Sequence, residues 1–199
     1  MSESRLEILP GKIRAFAALR MSAEVEAALS RFIDPLRDLP SGVRWVRPAN
    51  WHLTLRFLGD EADRNLLVPL DQRLAQIAGQ TAPFMLYACG TGVFPNLDRP
   101  RTIWIGLVSE ELIQLARQVE SAAMLAGFAS EGRPYTPHLT IGRMRDLHGW
   151  PQIRQVLRES SKEDFGSTLI SEIALYRSIL GGEAPQYHAL ARYQLAGAS

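Results

Sequence analysis

Two stretches of this chain, one in each half, spell almost the same strand: Trp51-His52-Leu53-Thr54-Leu55-Arg56-Phe57 and Pro137-His138-Leu139-Thr140-Ile141-Gly142-Arg143. Successive side chains of a β-strand point to opposite faces. His52 and Thr54 therefore share one face, with Leu53, Leu55 and Phe57 on the other, and the same parity sets His138 with Thr140 against Leu139 and Ile141. Each copy offers an imidazole and a hydroxyl on one face of a strand whose other face is apolar and suited to burial. A chain that does this twice is expected to form two related lobes whose sheets face each other across a groove.

The rest of the chain supports that reading. Ile13–Leu19 is a strand-length apolar run, followed at helical spacing by Val25, Ala28, Leu29, Phe32, Ile33 and Leu36. Val43–Val46 and His52–Phe57 read as strands, the second stopping at Gly59-Asp60. Leu66, Leu67, Leu70, Leu74, Ile77 and Ala78 then mark a second helix. Phe84–Cys89 and Thr102–Leu107 are predicted strands flanking a Gly/Pro-rich loop from Gly90 to Pro100. A third helix runs through Leu112, Leu115, Ala116, Val119, Ala122 and Ala123, with Gly127 as its stop. After a loop over Ser130–Pro137 and the strand His138–Gly142, a short helix opens at Pro151. Two long alternating strands follow, over about Ser167–Leu180 and Gln186–Leu195. Strands recur in succession without an intervening helix, which favours α+β with largely antiparallel sheet over βαβ winding. Residues 1–11 read as an arm and 12–199 as one domain, because no linker-like stretch interrupts the latter.

Composition narrows the class further. A chain of 199 residues that is 46% hydrophobic can bury a core without disulfides or metals and is no disordered, collagen-like or coiled-coil chain. Its 22 basic and 21 acidic residues leave a net charge of +1, too little for a surface that tracks a long polyanion. All the basic residues except Lys12 and Lys162 are arginine, the better bidentate phosphate ligand, although genome composition accounts for most of such a bias. The lone Cys89 has no disulfide partner, which suits a reducing compartment. No apolar run reaches the roughly 18 residues of a membrane span, and the first residues lack the basic-then-apolar order of a signal peptide. A cytoplasmic location is expected.

The chemistry lies with the paired histidines. Imidazole exchanges protons near neutrality. Two of them on opposite sides of one phosphorus can divide phosphoester cleavage, one taking a proton from water and the other giving one to the departing oxygen. The Thr54 and Thr140 hydroxyls can bond the non-bridging phosphate oxygens. The scheme needs no metal or cofactor, and a zinc site on His52 and His138 lacks a third ligand with metal-site spacing. Arg56 is in phase with His52 by parity and is a candidate phosphate ligand. Trp51, Phe94 and Tyr135 are candidates for stacking on a terminal base, although packing is the commoner fate of such rings. His148 and His188 are assigned to surface or packing roles, and Trp45 and Trp104 to the core.

The duplicated His-x-Thr-x motif resembles the signature of the two-histidine (2H) phosphoesterases. The flanking residues are similar to those of the bacterial and archaeal RNA 2′,3′-cyclic phosphodiesterases, historically called 2′-5′ RNA ligases. The likeness covers most of the chain: Arg14-Ala-Phe-Ala-Ala, His52-Leu-Thr-Leu-Arg-Phe-Leu-Gly, Gly92-Val-Phe-Pro, Pro100-Arg-Thr-Ile-Trp-Ile-Gly, Pro137-His-Leu-Thr-Ile-Gly-Arg and Leu175-Tyr-Arg-Ser. It implies a bilobal α+β fold, with two pseudo-symmetric, antiparallel-rich sheets facing a central cleft and helices outside. It also implies that His52 is the proton donor, His138 the acceptor, Thr54 and Thr140 phosphate contacts, and Arg143 a further phosphate ligand. Arg143 stands at an odd offset from His138, so a bulge or strand end near Gly142 is needed to turn it toward the phosphate. The implied substrates are RNA 3′ ends carrying a 2′,3′-cyclic phosphate, or small cyclic nucleotides, acted on by a monomer with no membrane partner and left as 2′-phosphomonoesters. Joining of RNA halves through a 2′-5′ linkage and non-catalytic binding of nucleotide or RNA are the alternatives.

Overall fold

The computed structural model describes residues 11–182 and 184–197, so the expected arm lies, except for Gly11, outside the described residues. Its elements are β1 (Lys12–Leu19), α1 (Ala23–Arg37), β2 (Val43–Trp45), a 3₁₀ turn (Pro48–Asn50), β3 (Leu53–Asp63), α2 (Arg64–Gln80), β4 (Phe84–Phe94), β5 (Thr102–Val108), α3 (Glu110–Leu125), β6 (His138–Met144), α4 (Trp150–Glu159), β7 (Asp164–Ile170), β8 (Glu172–Ile179) and β9 (Gln186–Gln194). The chain is α+β, and every strand pairing is antiparallel.

Local sequence accounts for the helices. Ser22 caps α1 through Val25 N–H, Glu24 and Glu26 stand in its first turn, and Val25, Leu29, Ile33 and Leu36 bury one stripe. Ser109 caps α3 in the same way. At its end Gly127 adopts φ 105°, and Phe128 N–H returns to the Ala123 carbonyl, closing the turn that the glycine was expected to end. No helix among the described residues is long and apolar enough to cross a membrane.

The strands run in the order β7-β4-β5-β6-β3-β1-β8-β9, with β2 on β6 as a ninth strand. The two expected sheets are therefore two halves of one ladder. They meet at a single residue pair, Leu53 opposite Leu139. These are corresponding residues of the duplicated motif, and antiparallel pairing of corresponding residues makes the seam a local pseudo-twofold axis. Outward from it the order is matched: β3, β1, β8, β9 on one side and β6, β5, β4, β7 on the other. One face of the ladder carries the main core, where Ala15, Ala17, Leu53, Ile103, Ile105 and Leu139 meet the apolar stripes of all four helices. On the other face, Phe16, Ala18, Ala174 and Tyr176 form a separate small cluster, joined by Phe57, Tyr187 and Ala189.

Three segments differ from the sequence-based expectation. β3 does not stop at Gly59-Asp60 but runs on to Asp63, held by pairing of Ala62 and Asp63 with Ile13 and Lys12 of β1. β4 runs on to Phe94 through the stretch expected to be loop, bending at Gly90, whose φ of 67° only glycine adopts readily. The long strand expected over Ser167–Leu180 is two strands that break at Ser171. β7 joins the β4 edge and β8 joins β1, so this short break carries the chain from one half of the ladder to the other.

Candidate active site

The Leu53–Leu139 pair places both histidines on the face opposite the helices. One step outward in that register, His52 comes opposite Thr140 and Thr54 opposite His138, because residues facing each other across paired strands share a face. Both imidazoles are held alike. His52 Nδ1 lies 2.7 Å from the Asn50 carbonyl and His138 Nδ1 lies 2.8 Å from the Thr136 carbonyl. A carbonyl only accepts, so each Nδ1 carries the proton, and each neutral ring keeps Nε2 as a basic nitrogen. Asn50 is itself fixed, its side-chain amide donating to the Pro185 carbonyl at 3.0 Å.

The two rings differ in their surroundings. His52 stacks on Phe16 with centroids 4.8 Å apart and meets Tyr187 edge-on at 5.1 Å. Burial among these rings, opposed by the Asn50 bond and aided by the charges of Arg20, Arg143 and His138, pushes its pKa down to about 4. His138 is half-buried, with Phe94 edge-on at 5.0 Å. Its pKa is also lowered by burial, opposed by the Thr136 bond and assisted by Arg143. The unfolded chain thus takes up a proton on His52 near pH 6.5 that the folded chain refuses until about pH 4. Stability is therefore expected to fall as the pH drops through that window, by about 3 kcal/mol. Urea unfolding at stepped pH checks this, and His52→Gln should flatten the slope.

One structural device decides which arginine reaches the site. In β3 the partner of Ala17 is Arg56 but that of Ala18 is Thr54, so Leu55 is an extra, unpaired residue. In β6 the partner of Ile103 is Gly142 but that of Trp104 is Thr140, so Ile141 is extra. Both bulges fall three residues after the histidine, and each reverses the facing of the residues beyond it. The fourth residue, Arg56 or Gly142, turns to the helix side. The fifth, Phe57 or Arg143, turns to the site.

Arg143 accordingly lies within electrostatic reach of both histidines and of Tyr187. Arg56, expected from strand parity to face the phosphate, turns instead to the helix side. Its side chain is buried at 8% exposure, paired with Glu120 of α3 and with Glu131, and it donates to the carbonyls of Phe57 and Ala129. It clamps the loop that leads into His138 rather than holding a phosphate.

The three candidate stacking rings part company as well. Trp51 is fully buried in the main core and is excluded from contact with a base, as its position next to His52 on an alternating strand implies. Tyr135 packs on the same core, and its hydroxyl donates to the Thr54 carbonyl at 3.2 Å, so it braces β3 against the loop. Phe94 does stand in the site. Trp104 joins it against expectation, paired with Thr140 on the site face and 5.2 Å from Phe94. Its ring lies across Gly92, where a Cβ would come within 2.1 Å of it. Trp45 packs on the core as expected, and His148 and His188 are exposed. Sequence reasoning gave no role to Phe16, Tyr187, Asn50 or Thr136. Only the offset of two residues before each histidine hinted at the carbonyl bonds.

Among the described residues, no three His, Cys, Asp or Glu side chains cluster in a way that could hold a metal ion. Two imidazoles with free Nε2 atoms, two threonines and one guanidinium on a single sheet face define a site for phosphoester chemistry of the two-histidine kind.

Comparison with known proteins agrees. A model of the LigT-like phosphoesterase family matches twice, over residues 19–104 and 105–187, so each match holds one His-x-Thr strand. The RNA 2′,3′-cyclic phosphodiesterase of Methanothermobacter thermautotrophicus is 32% identical over 181 residues, covering 88% of this chain and 95% of that protein. A crystal structure of TT0787 of Thermus thermophilus superposes with a TM-score of 0.80 at 28% identity, covering 93% and 99% of the two chains. That of E. coli LigT complexed with 3′-AMP superposes at 0.72 and 28%, covering 92% and 98%. The chain belongs to the LigT-like phosphoesterase family and is an enzyme of that family.

Proposed function

We propose that this protein hydrolyses 2′,3′-cyclic phosphate ends of RNA to 2′-phosphomonoesters without a metal ion. The observation that carries this reading is the matched fixing of two imidazoles, Nδ1 on a carbonyl and Nε2 free, across a pseudo-twofold seam. His138 Nε2 accepts a proton from the attacking water. His52, protonated, gives one to the ribose 3′ oxygen as its bond to phosphorus breaks, leaving the phosphate on the 2′ oxygen. The Thr54 and Thr140 hydroxyls and the Arg143 guanidinium meet the non-bridging oxygens, where charge builds up. The donor and acceptor assignment follows the family resemblance, as does the 2′ product.

Burial alone would leave His52 unprotonated at neutral pH. The bound phosphate anion supplies the opposite charge that raises its pKa, and the Asn50 carbonyl favours the imidazolium that results. Substrate binding is therefore coupled to proton uptake. Phe94 and Trp104, beside His138, stack on the terminal base in this reading, which the crystallisation of E. coli LigT with 3′-AMP supports.

A short RNA ending in 2′,3′-cyclic phosphate, incubated in excess EDTA and followed by phosphorus NMR, tests the reading. Conversion to one 2′-phosphomonoester at the rate seen without chelator is expected. Loss of turnover in EDTA with recovery on adding a divalent cation would overturn metal independence, and a 3′-phosphate product would overturn the assignment of the leaving oxygen.

A further inference from the structure

The short strand β2 lies along the outer end of β6 and sets Arg44 directly opposite Arg143. In the neighbouring pairs, Val43 with Met144 and Trp45 with Gly142, the side chains of Val43, Met144 and Trp45 pack on the helix-side core. By alternation Arg44 and Arg143 therefore share the site face, and both are exposed. Across β6 the same row continues through Thr102 on β5 to Phe94 on β4, the ring that touches His138. β2 and β3 lie in succession along the same edge of β6, so Arg44 stands on the His52 side of β6, one strand, about 4.8 Å, from Arg143, and it is Arg143 whose charge acts on both histidines.

Like charges directly opposite each other on paired strands destabilise a sheet. Among the described residues, six arginines are compensated, Arg14 by Asp60, Arg20 by Glu26, Arg37 by Asp34, Arg56 by Glu120 and Glu131, Arg154 by Asp98 and Arg192 by Glu172. Among the same residues, Arg44 and Arg143 have no acidic partner. Others, such as Arg31, Arg73 and Arg117 on the helices, have none either, but these do not face another arginine across a strand pair as Arg44 does. Two guanidinium groups facing each other on the site face, with no carboxylate between them, mark a place for an external anion.

We propose that Arg44, beside Arg143, binds the phosphodiester next to the terminal cyclic phosphate, so that the enzyme favours an RNA strand over a mononucleotide. The inference rests on the reaction proposed above and extends it to the substrate class. One phosphate lies at the histidines, reached by Arg143, and the next one along the strand meets the Arg44 guanidinium. Such a contact sets the position and direction of the chain without reading its sequence. It also fits the low net charge, since two phosphates are held by two arginines and no extended basic surface is needed.

The test compares wild type with Arg44→Gln and Arg44→Lys on two substrates, a trinucleotide ending in 2′,3′-cyclic phosphate and a mononucleoside 2′,3′-cyclic phosphate. For Arg44→Gln, KM on the trinucleotide is expected to rise about five- to tenfold with kcat within about twofold, and kcat/KM on the mononucleotide to stay within about twofold. The slope of log KM against log salt should shrink by about 0.7, the single-strand value for one lost phosphate contact. Arg44→Lys should recover most of the loss. An equal change on both substrates, or none on the trinucleotide, would overturn the proposal and leave Arg44 as a charge that merely guards a strand edge. Fluorescence anisotropy with a labelled 3′-phosphorylated trinucleotide separates this proposal from the reaction itself. If wild type cleaves neither substrate, the reaction is wrong, while about fivefold weaker binding by Arg44→Gln still supports the subsite and unchanged binding rejects it.

Discussion

Alanine at His138 is expected to lower kcat on a cyclic-phosphate end by about 10²–10⁴-fold, and alanine at His52 by a similar factor. The double variant should fall little further, since acid and base serve one transition state. The expectation follows from the geometry of each ring. With Nδ1 committed to the carbonyl two residues upstream, each imidazole has one nitrogen left for chemistry. His138 is half-buried and leaves little cavity when truncated, so that variant should melt near the wild-type temperature. Alanine at the exposed His148 or His188 should leave kcat unchanged. More than about a tenth of wild-type kcat in either His52→Ala or His138→Ala would contradict the acid and base roles.

Arg56→Met should produce the largest loss of stability, about 2–4 kcal/mol, toward the lower end of the cost of breaking a buried ion pair because Glu120 and Glu131 are partly exposed. For a chain of this size that is a fall in melting temperature of roughly 5–15 °C. The substitution leaves two carboxylates and the Ala129 carbonyl without their cation. Those groups hold the loop that delivers the Thr136 carbonyl to His138, so kcat should also fall, by about tenfold, at temperatures where the variant is folded. The imidazole resonances of His138, followed by NMR against pH, should shift as its Nδ1 partner loosens. Arg56→Lys, keeping the charge but losing the forked geometry, should recover part of the stability. A variant as stable as wild type with an unchanged His138 titration would show that the clamp does not position the site.

Much of this was legible in the sequence. The three long helices and the facing of His52, Thr54, His138 and Thr140 follow from side-chain periodicity, which depends only on local geometry. The odd offset of Arg143 pointed to a bulge near Gly142, and the ladder has one there. Its counterpart at Leu55 gave no such sign. Leu55 reads as an ordinary inward residue, and only pairing with β1 exposes it as the extra one, which is why parity misplaced Arg56. Trp104 was misread for a related reason. An aromatic in a strand suggests core, but register with Thr140, and the space above Gly92, put its ring on the site face. The break at Ser171 was hidden because β7 and β8 have similar alternation, and their separation to opposite halves of the ladder is set by distant partners. The aromatic setting of His52 could not be read either, since Phe16 and Tyr187 meet it only through the order β3-β1-β8-β9.

The division of labour between the two histidines is the centre of this account, and the pH dependence of kcat in three proteins tests it most directly. Wild type should give a bell, its two limbs belonging to the coupled pair. The residual activity of His52→Ala should rise with pH and then stay level, because the remaining His138 must lose its proton to act as base. That of His138→Ala should be level at low pH and then fall, because the remaining His52 must keep its proton to act as acid. Exchange of these two shapes would reverse the donor and acceptor assignment, and survival of both limbs in both variants would contradict two-histidine catalysis altogether.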